Sequence, residues 1–190
     1  MASPKAPIPT QMHTSRLILR AFEDADALPF HEAIEPALPS LRKWISSTTE
    51  QNTLQTQQAR IRKAQSDWAA GTRYNYLVIE RETGCIAGLV GVFNVNWTNR
   101  NCTFGYWLVP SCEGKGYAAE AVRQLEAVAT GEMGLDRIAI MCDVRNERSA
   151  RLARKLGYVY EGTLRKEYVG PQGDLTDTLV FSKVRGEEYH

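Results

Sequence analysis

The chain has 190 residues, 43% of them hydrophobic and 24% charged, with a formal net charge of +1; this suits one soluble domain around a single sizeable core. So small a net charge gives no general pull towards nucleic acid or an anionic membrane, and no apolar run nears the roughly 20 residues that span a bilayer. Cysteines at 85, 102, 112 and 142 lack ligand-like spacing and the three histidines are scattered, so no metal is expected. Reduced thiols and the lack of a signal-peptide core point to the cytoplasm.

Residues 1–13 carry Pro4, Pro7 and Pro9 with little to bury. They are expected to form a loose tail before a single domain over residues 14–190. Residues 15–22 alternate Leu17 and Leu19 with Arg16, Ile18 and Arg20, a first strand whose Ile18 implies partly covered faces. Asp24 and Asp26 offer caps for a helix carrying Leu28, Phe30 and Ile34, with Pro29 tolerable near its start and Pro36 and Pro39 ending it. Residues 41–45 form a short helical piece in which Trp44 is read as core, with the wall of an acceptor site as the alternative. Residues 53–70 set Leu54, Ile61, Ala64, Gln65 and Trp68 on one helical stripe that Gly71 stops.

From Tyr74 the period becomes strand-like. Strands are expected over 76–79, 86–95 and 102–109, joined by turns at Glu82-Thr83-Gly84 and Thr98-Asn99-Arg100-Asn101. Later come a strand over 137–144, a helix over 146–156 closed by Gly157, and strands over 158–166 and 176–183. An antiparallel meander followed by helix, strand, helix and hairpin is α+β, or mixed α/β: a twisted mixed sheet with helices on both faces.

The most informative stretch runs from Phe104 to Ala121. It reads as a strand, a turn broken by Pro110, two glycines around Lys115, and a helix with apolar positions at 118, 121, 122, 125, 128 and 129. A glycine turn opening a helix leaves amides aimed outward with the helix dipole behind them, an arrangement that binds phosphate. A P-loop fails here, because Val109 and Gly116 stand where its first glycine and its hydroxyl residue belong. The dinucleotide fingerprint is met literally by Gly114, Gly116 and Ala119. That motif, however, wants a strand running straight into the first glycine, and residues 110–113 intervene.

Glu113, Gly116 and Ala118 also fall on the Gln/Arg-x-x-Gly-x-Gly/Ala loop of the GNAT acetyltransferases. Gly105-Tyr106-Trp107-Leu108 before the loop and Gly114-Lys115-Gly116-Tyr117-Ala118 with Glu120-Ala121 through it resemble the ribosomal-protein N-terminal acetyltransferase subfamily. Leu156-Gly157-Tyr158 matches that family's Leu-Gly-Phe/Tyr helix end, and the resemblance covers nearly all of residues 14–184. It implies the GNAT fold and acetyl-CoA as cosubstrate. The diphosphate would lie on Glu113, Gly114, Lys115, Gly116, Tyr117, Ala118 and Ala119, and the pantetheine arm against backbone at Leu108 and Val109.

Asn146 and Ser149 match the family's Asn-x-x-Ser, whose Asn contacts the arm and whose Ser lies near the thioester sulfur. Both residues also read as helix caps. Glu167 is the nearest match to the subfamily's glutamate and the candidate general base; its plain alternative is a surface hairpin charge. Glu113 departs from the family's Gln or Arg, placing a carboxylate where a diphosphate is expected. Lys115 is a candidate to compensate.

The function expected is an N-acetyltransferase transferring acetyl to a primary amine by direct attack in a ternary complex, first a protein N-terminal α-amine of ribosomal-protein type. The alternatives are a small amine acceptor such as an antibiotic or polyamine, or a coenzyme A-binding sensor or interaction module with little catalysis. No direct nucleic-acid or membrane partner is expected. A homodimer is compatible with the sequence, which fixes neither the acceptor nor the acyl chain.

Overall fold

The computed structural model describes residues 4, 6–45 and 51–189. Its strands are β1 (Gln11–His13), β2 (Leu17–Ala21), β3 (Tyr74–Glu80), β4 (Ile86–Asn96), β5 (Asn101–Leu108), β6 (Arg137–Asp143), β7 (Val159–Val169) and β8 (Leu175–Val184). They make one 8-stranded sheet in the order β1-β2-β3-β4-β5-β6-β8-β7. Every neighbouring pair is antiparallel except β5 with β6. The helices are α1 (Ala27–Ile34), α2 (Leu38–Leu41), α3 (Leu54–Ala69), α4 (Tyr117–Thr130) and α5 (Glu147–Lys155). Among the described residues no helix is long and apolar enough to cross a membrane.

Strand alternation shows where the helices lie. Trp107 of β5 packs against Phe30 of α1, with ring centroids 5.9 Å apart, whereas its neighbour Tyr106 reaches Ser149 of α5. Successive strand residues point to opposite faces, so α1 and α5 cover opposite sides of the sheet. α4 buries Ala121, Val122, Leu125, Val128 and Ala129 as its period predicts, but at its start Tyr117 and Ala119 are buried and the expected Ala118 is only partly so; each large apolar side chain so buried contributes about 2 kcal/mol. α5 buries only Ala150 and Ala153 and packs against β6, β7 and β8.

Several expectations change. Residues 1–3 and 5 of the expected tail lie outside the described residues. Further along, Gln11–His13 pair with β2, the Ala21 amide donates to Thr10 O at 2.7 Å, and the Tyr76 hydroxyl donates to Pro9 O at 2.9 Å. A proline-rich segment with few apolar side chains is held here through its backbone carbonyls. Pro36 and Pro39 do not end the first helical region: each sits at the start of a further helical turn, where proline lacks no needed donor. Leu28 and Leu54 are exposed, and the buried stripe of α3 runs through Gln57, Ile61 and Ala64 instead.

Candidate active site

The site forms where β5 and β6 part. Their parallel pairing runs only from Asn101 beside Arg137 to Phe104 beside Ile140. β5 then continues against β4 to Leu108, and β6 against β8 to Asp143, so residues 105–108 and 141–143 diverge. Antiparallel pairs alternate between bonded and open. The Val109 amide donates to Ala87 O at 2.8 Å, which sets the phase: residues 105, 107 and 109 bond β4, and the backbone groups of Tyr106 and Leu108 turn into the gap. Leu108 thus has the groups its expected role needs. Val109 does not, since its carbonyl also accepts from the Cys112 amide at 2.9 Å; both its polar groups are engaged within the fold. Tyr106 presents the backbone that Val109 was expected to offer.

Past Leu108, a 3-10 turn over Pro110–Cys112 leads to Glu113, Gly114 at φ +76° and Gly116 at φ +84°, and α4 begins at Tyr117. The left-handed conformation at Gly116, the residue capping α4, is open to glycine at little cost. Among the described residues, the amides of 114–119 bond no main-chain acceptor, and Glu120 is the first to bond back, to Gly116 O at 3.1 Å. A Cβ at Gly114 would meet nothing within 4 Å. Uncovered donors at the positive end of a 14-residue helix therefore fit the diphosphate of coenzyme A. The main chain of Gly114, Lys115, Gly116, Tyr117, Ala118 and Ala119 would hold it.

The side chains around this loop serve the protein. Lys115 reaches back to Glu80 at 3.5 Å, and the Tyr117 hydroxyl donates to the same carboxylate. Arg16 donates to Lys115 O at 2.8 Å and pairs with Glu120 at 2.6 Å. Glu113 pairs with Arg148 in the first turn of α5. The charge that compensates Glu113 thus comes from Arg148, across the gap, and not from Lys115. The sequence shows nothing of this pairing, because 35 residues separate the partners.

On α5, Asn146 Oδ1 accepts from the Ser149 amide at 3.1 Å, the capping role that its position allows. Ser149 Oγ lies 2.9 Å from the Tyr106 hydroxyl, so the two hydroxyls bridge the parting strands. Burial pushes the Tyr106 phenol up to about 12 and raises the Cys142 thiol; both stay protonated at neutral pH. Tyr106 was not singled out in the sequence: Gly105-Tyr106-Trp107-Leu108 does not reveal which face each ring takes.

Beside β5 a cleft of about 870 Å³ is lined from both sides of the sheet, by Phe30 and Trp107 on one and by Tyr106 and Ser149 on the other. Its apolar wall includes Phe22, Phe30, Trp44 and Trp107, so Trp44, expected in the core, borders the cleft. By the sheet order, Asn146, Ser149 and Glu167 line it from the β6–β8–β7 side, and Arg60, Lys63 and Arg73 from the α3 and β3 side. Glu167 accepts from Thr178 Oγ1 at 3.1 Å, and both it and Ser149 line the cleft. Asp143 is nearby but unsuited to proton transfer. Hydrogen bonds from Arg145 above all, then from Thr176, hold its carboxyl well below the usual range. Among the described residues no group of His, Cys, Asp and Glu could hold a metal ion.

A family model described as an acetyltransferase (GNAT) domain matches residues 16–159. The uncharacterized N-acetyltransferase YoaA of Bacillus subtilis is 29% identical over 194 residues, 93% of this chain and 98% of that one. The ribosomal-protein-serine acetyltransferase of Escherichia coli is 28% identical over 139 residues, 72% of each. Among solved structures, RimL, a ribosomal L7/L12 alpha-N-protein acetyltransferase in complex with coenzyme A, superimposes with a TM-score of 0.85 at 20% identity, over 93% of this chain and 97% of that one.

Proposed function

This chain belongs to the GNAT acetyltransferase family, and on that premise we propose that it acetylates a protein N-terminal α-amine with acetyl-CoA by direct attack in a ternary complex. The observation that carries this reading is the junction of the bare amides at 114–119, the unpaired backbone of Tyr106 and Leu108, and an open cleft beside β5. Coenzyme A supplies the acetyl group as a thioester with a good leaving group. The loop amides of Gly114 to Ala119 bind its diphosphate and fix the depth of the arm. The Asn146 side-chain amide, its oxygen engaged as a cap, offers N–H to that arm.

The N–H groups of Tyr106 and Leu108 polarise the carbonyl, and fixed donors of this kind commonly contribute a large share of the rate. A C–N bond forms as the C–S bond breaks, the sulfur leaving with the electron pair. An α-amine titrates at roughly 7.7–8.0 and a lysine at about 10.4, so the former needs only modest deprotonation. Glu167 takes the amine's proton, directly or through water. Ser149, backed by Tyr106, donates a hydrogen bond to the leaving sulfur. Neither hydroxyl is acidic enough to protonate outright a thiolate whose conjugate acid lies near 8.5.

The YoaA relative supports the acetyl-transfer chemistry, and the ribosomal-protein-serine acetyltransferase relative supports the choice of acceptor. The reading places the enzyme in the cytoplasm beside newly made proteins, without contact to nucleic acid. The test is to incubate the protein with acetyl-CoA and a panel of peptides and amines, following thiol release and locating the added acetyl group by mass spectrometry. Acetyl on peptide α-amines is the expected result. Binding of coenzyme A without turnover would make the chain a sensor, and acetyl only on small amines would move the acceptor class.

A further inference from the structure

The cleft on the acceptor side is divided by charge, and most of its charges are already matched. Lys63 pairs with Asp67 at 3.0 Å, and Asp143 pairs with Arg145 at 2.6 Å. Among the described residues, the side-chain partner of Glu167 is a neutral hydroxyl, that of Thr178. Arg73, just ahead of β3, has no carboxylate partner among the described residues. It lies instead on an aromatic ring, its guanidinium carbon 4.8 Å from the centroid of Phe93. Two glycines give that ring its place. A Cβ at Gly105 would come within 2.8 Å of Phe93 and one at Gly91 within 3.0 Å, so β4 and β5 are bare where Phe93 settles over them.

A guanidinium over a ring face keeps its charge and its N–H donors, which suit a planar anion. Among the described residues, the cleft thus presents a carboxylate without a cationic partner on the β7 side and an arginine without a carboxylate partner on the β3 side.

Resting on the acetyltransferase reading above, we propose that Arg73 determines specificity and selects acceptors carrying a carboxylate beyond the reacting amine: protein N-termini with an acidic residue close behind the first. The amine sits by Glu167 and Ser149, and the acidic side chain pairs edge-on with Arg73. A polyamine fits badly, since its second ammonium would be brought towards the Arg73 end.

The test uses capped peptides of one length that differ only in having Asp, Asn or Lys behind an N-terminal Ser, with the full chain and saturating acetyl-CoA. The Asp peptide is expected to exceed the Lys peptide in kcat/KM by about tenfold, mostly through KM, as a partly exposed charge-assisted pair allows. Arg73→Gln should erase the preference, and Arg73→Glu should reverse it. Calorimetry of each peptide against the coenzyme A-loaded protein gives a second readout independent of turnover. It should show the same order, with coenzyme A affinity itself unchanged by either variant. Equal or better use of the Lys peptide by the wild type, or a rank order unmoved by Arg73→Glu, would overturn the assignment. Failure to acetylate any amine would instead count against the acetyltransferase reading, and peptide binding would still decide the role of Arg73.

Discussion

Two contacts between side chains set the chemistry at the scale of single residues. Ser149 and Tyr106 share one hydrogen bond at 2.9 Å, so either can pass donor strength to a sulfur placed between α5 and β5. If their part is a hydrogen bond and not a full proton transfer, losing one should be tolerable. Ser149→Ala is expected to lower kcat about tenfold with little change in KM, and Tyr106→Phe to lower it less. A collapse of kcat by Ser149→Ala as large as loss of a nucleophile would contradict this, and steady-state kinetics decides.

The second contact is Glu113 with Arg148, a half-exposed carboxylate facing a largely exposed arginine. A surface pair of this kind adds little stability, but it holds a cation beside the diphosphate loop and cancels an anion there. Glu113→Gln should tighten coenzyme A modestly, about threefold, and Arg148→Gln should weaken it by a similar factor, with the double variant near the wild type. Calorimetry that shows both single variants moving the affinity the same way would reject this account.

At the scale of elements, the diphosphate loop depends on a fastening some hundred residues away in sequence. Glu120, in the first turn of α4, accepts from Thr14 Oγ1 at 2.5 Å, the Arg16 amide at 2.9 Å, Arg16 Nε at 2.8 Å and Ser15 Oγ at 3.1 Å. The turn between β1 and β2 is thereby tied to α4, and Arg16 continues to the carbonyl of Lys115. Burial works against the Glu120 charge, yet hydrogen bonds from Thr14, Arg16 and Ser15 outweigh it and hold the carboxyl at about 2. An unfolded glutamate titrates near 4.3. The folded value is the lower one, so the stabilisation is full above about pH 4.3 and is lost as pH falls towards about 2. Glu120→Gln should cost on the order of 2 kcal/mol in denaturant unfolding at pH 7, with the gap to the wild type closing below about pH 4. A gap that stays constant down to pH 3 would show that the carboxylate's charge is not what fastens the turn.

Much of this was legible in the chain, for local reasons. The α4 stripe, the strand over Ile86–Asn96, the cap at Asn146 and the glycine turn each follow from spacings of a few residues. What escaped notice depends on partners far apart. No local pattern predicts that Glu113 meets Arg148, that Arg73 lies on Phe93, or that the carbonyls of a proline-rich tail are used by β2 and β3. Val109 went wrong for a related reason: an alternation of period two decides which strand residues face the gap, and its phase is set by a bond to Ala87 on another strand.

At the scale of the whole molecule, the sheet is two halves, β1 to β5 and β6 to β8, joined by four register pairs between β5 and β6. An arm lying in the gap would bond one half through Tyr106 and Leu108 while its diphosphate bonds the loop that leads into α4. Cofactor binding therefore adds links at the junction where strand pairing is thinnest, and it stabilises the folded state as a whole by about 2.7 kcal/mol at a hundredfold excess over Kd. Local protection should be more discriminating than a melting temperature, because opening free energies vary across a structure. The amides of Tyr106, Leu108 and residues 114–119 are expected to exchange quickly in the free protein and to become protected with saturating coenzyme A. The Val109 amide, already bonded to Ala87 O, should be protected in both states. Hydrogen exchange read residue by residue checks all three groups at once. Slow exchange at Tyr106 and Leu108 without the cofactor would mean that the gap is closed by the protein's own backbone, and the carbonyl-polarising donors would then have to be sought elsewhere.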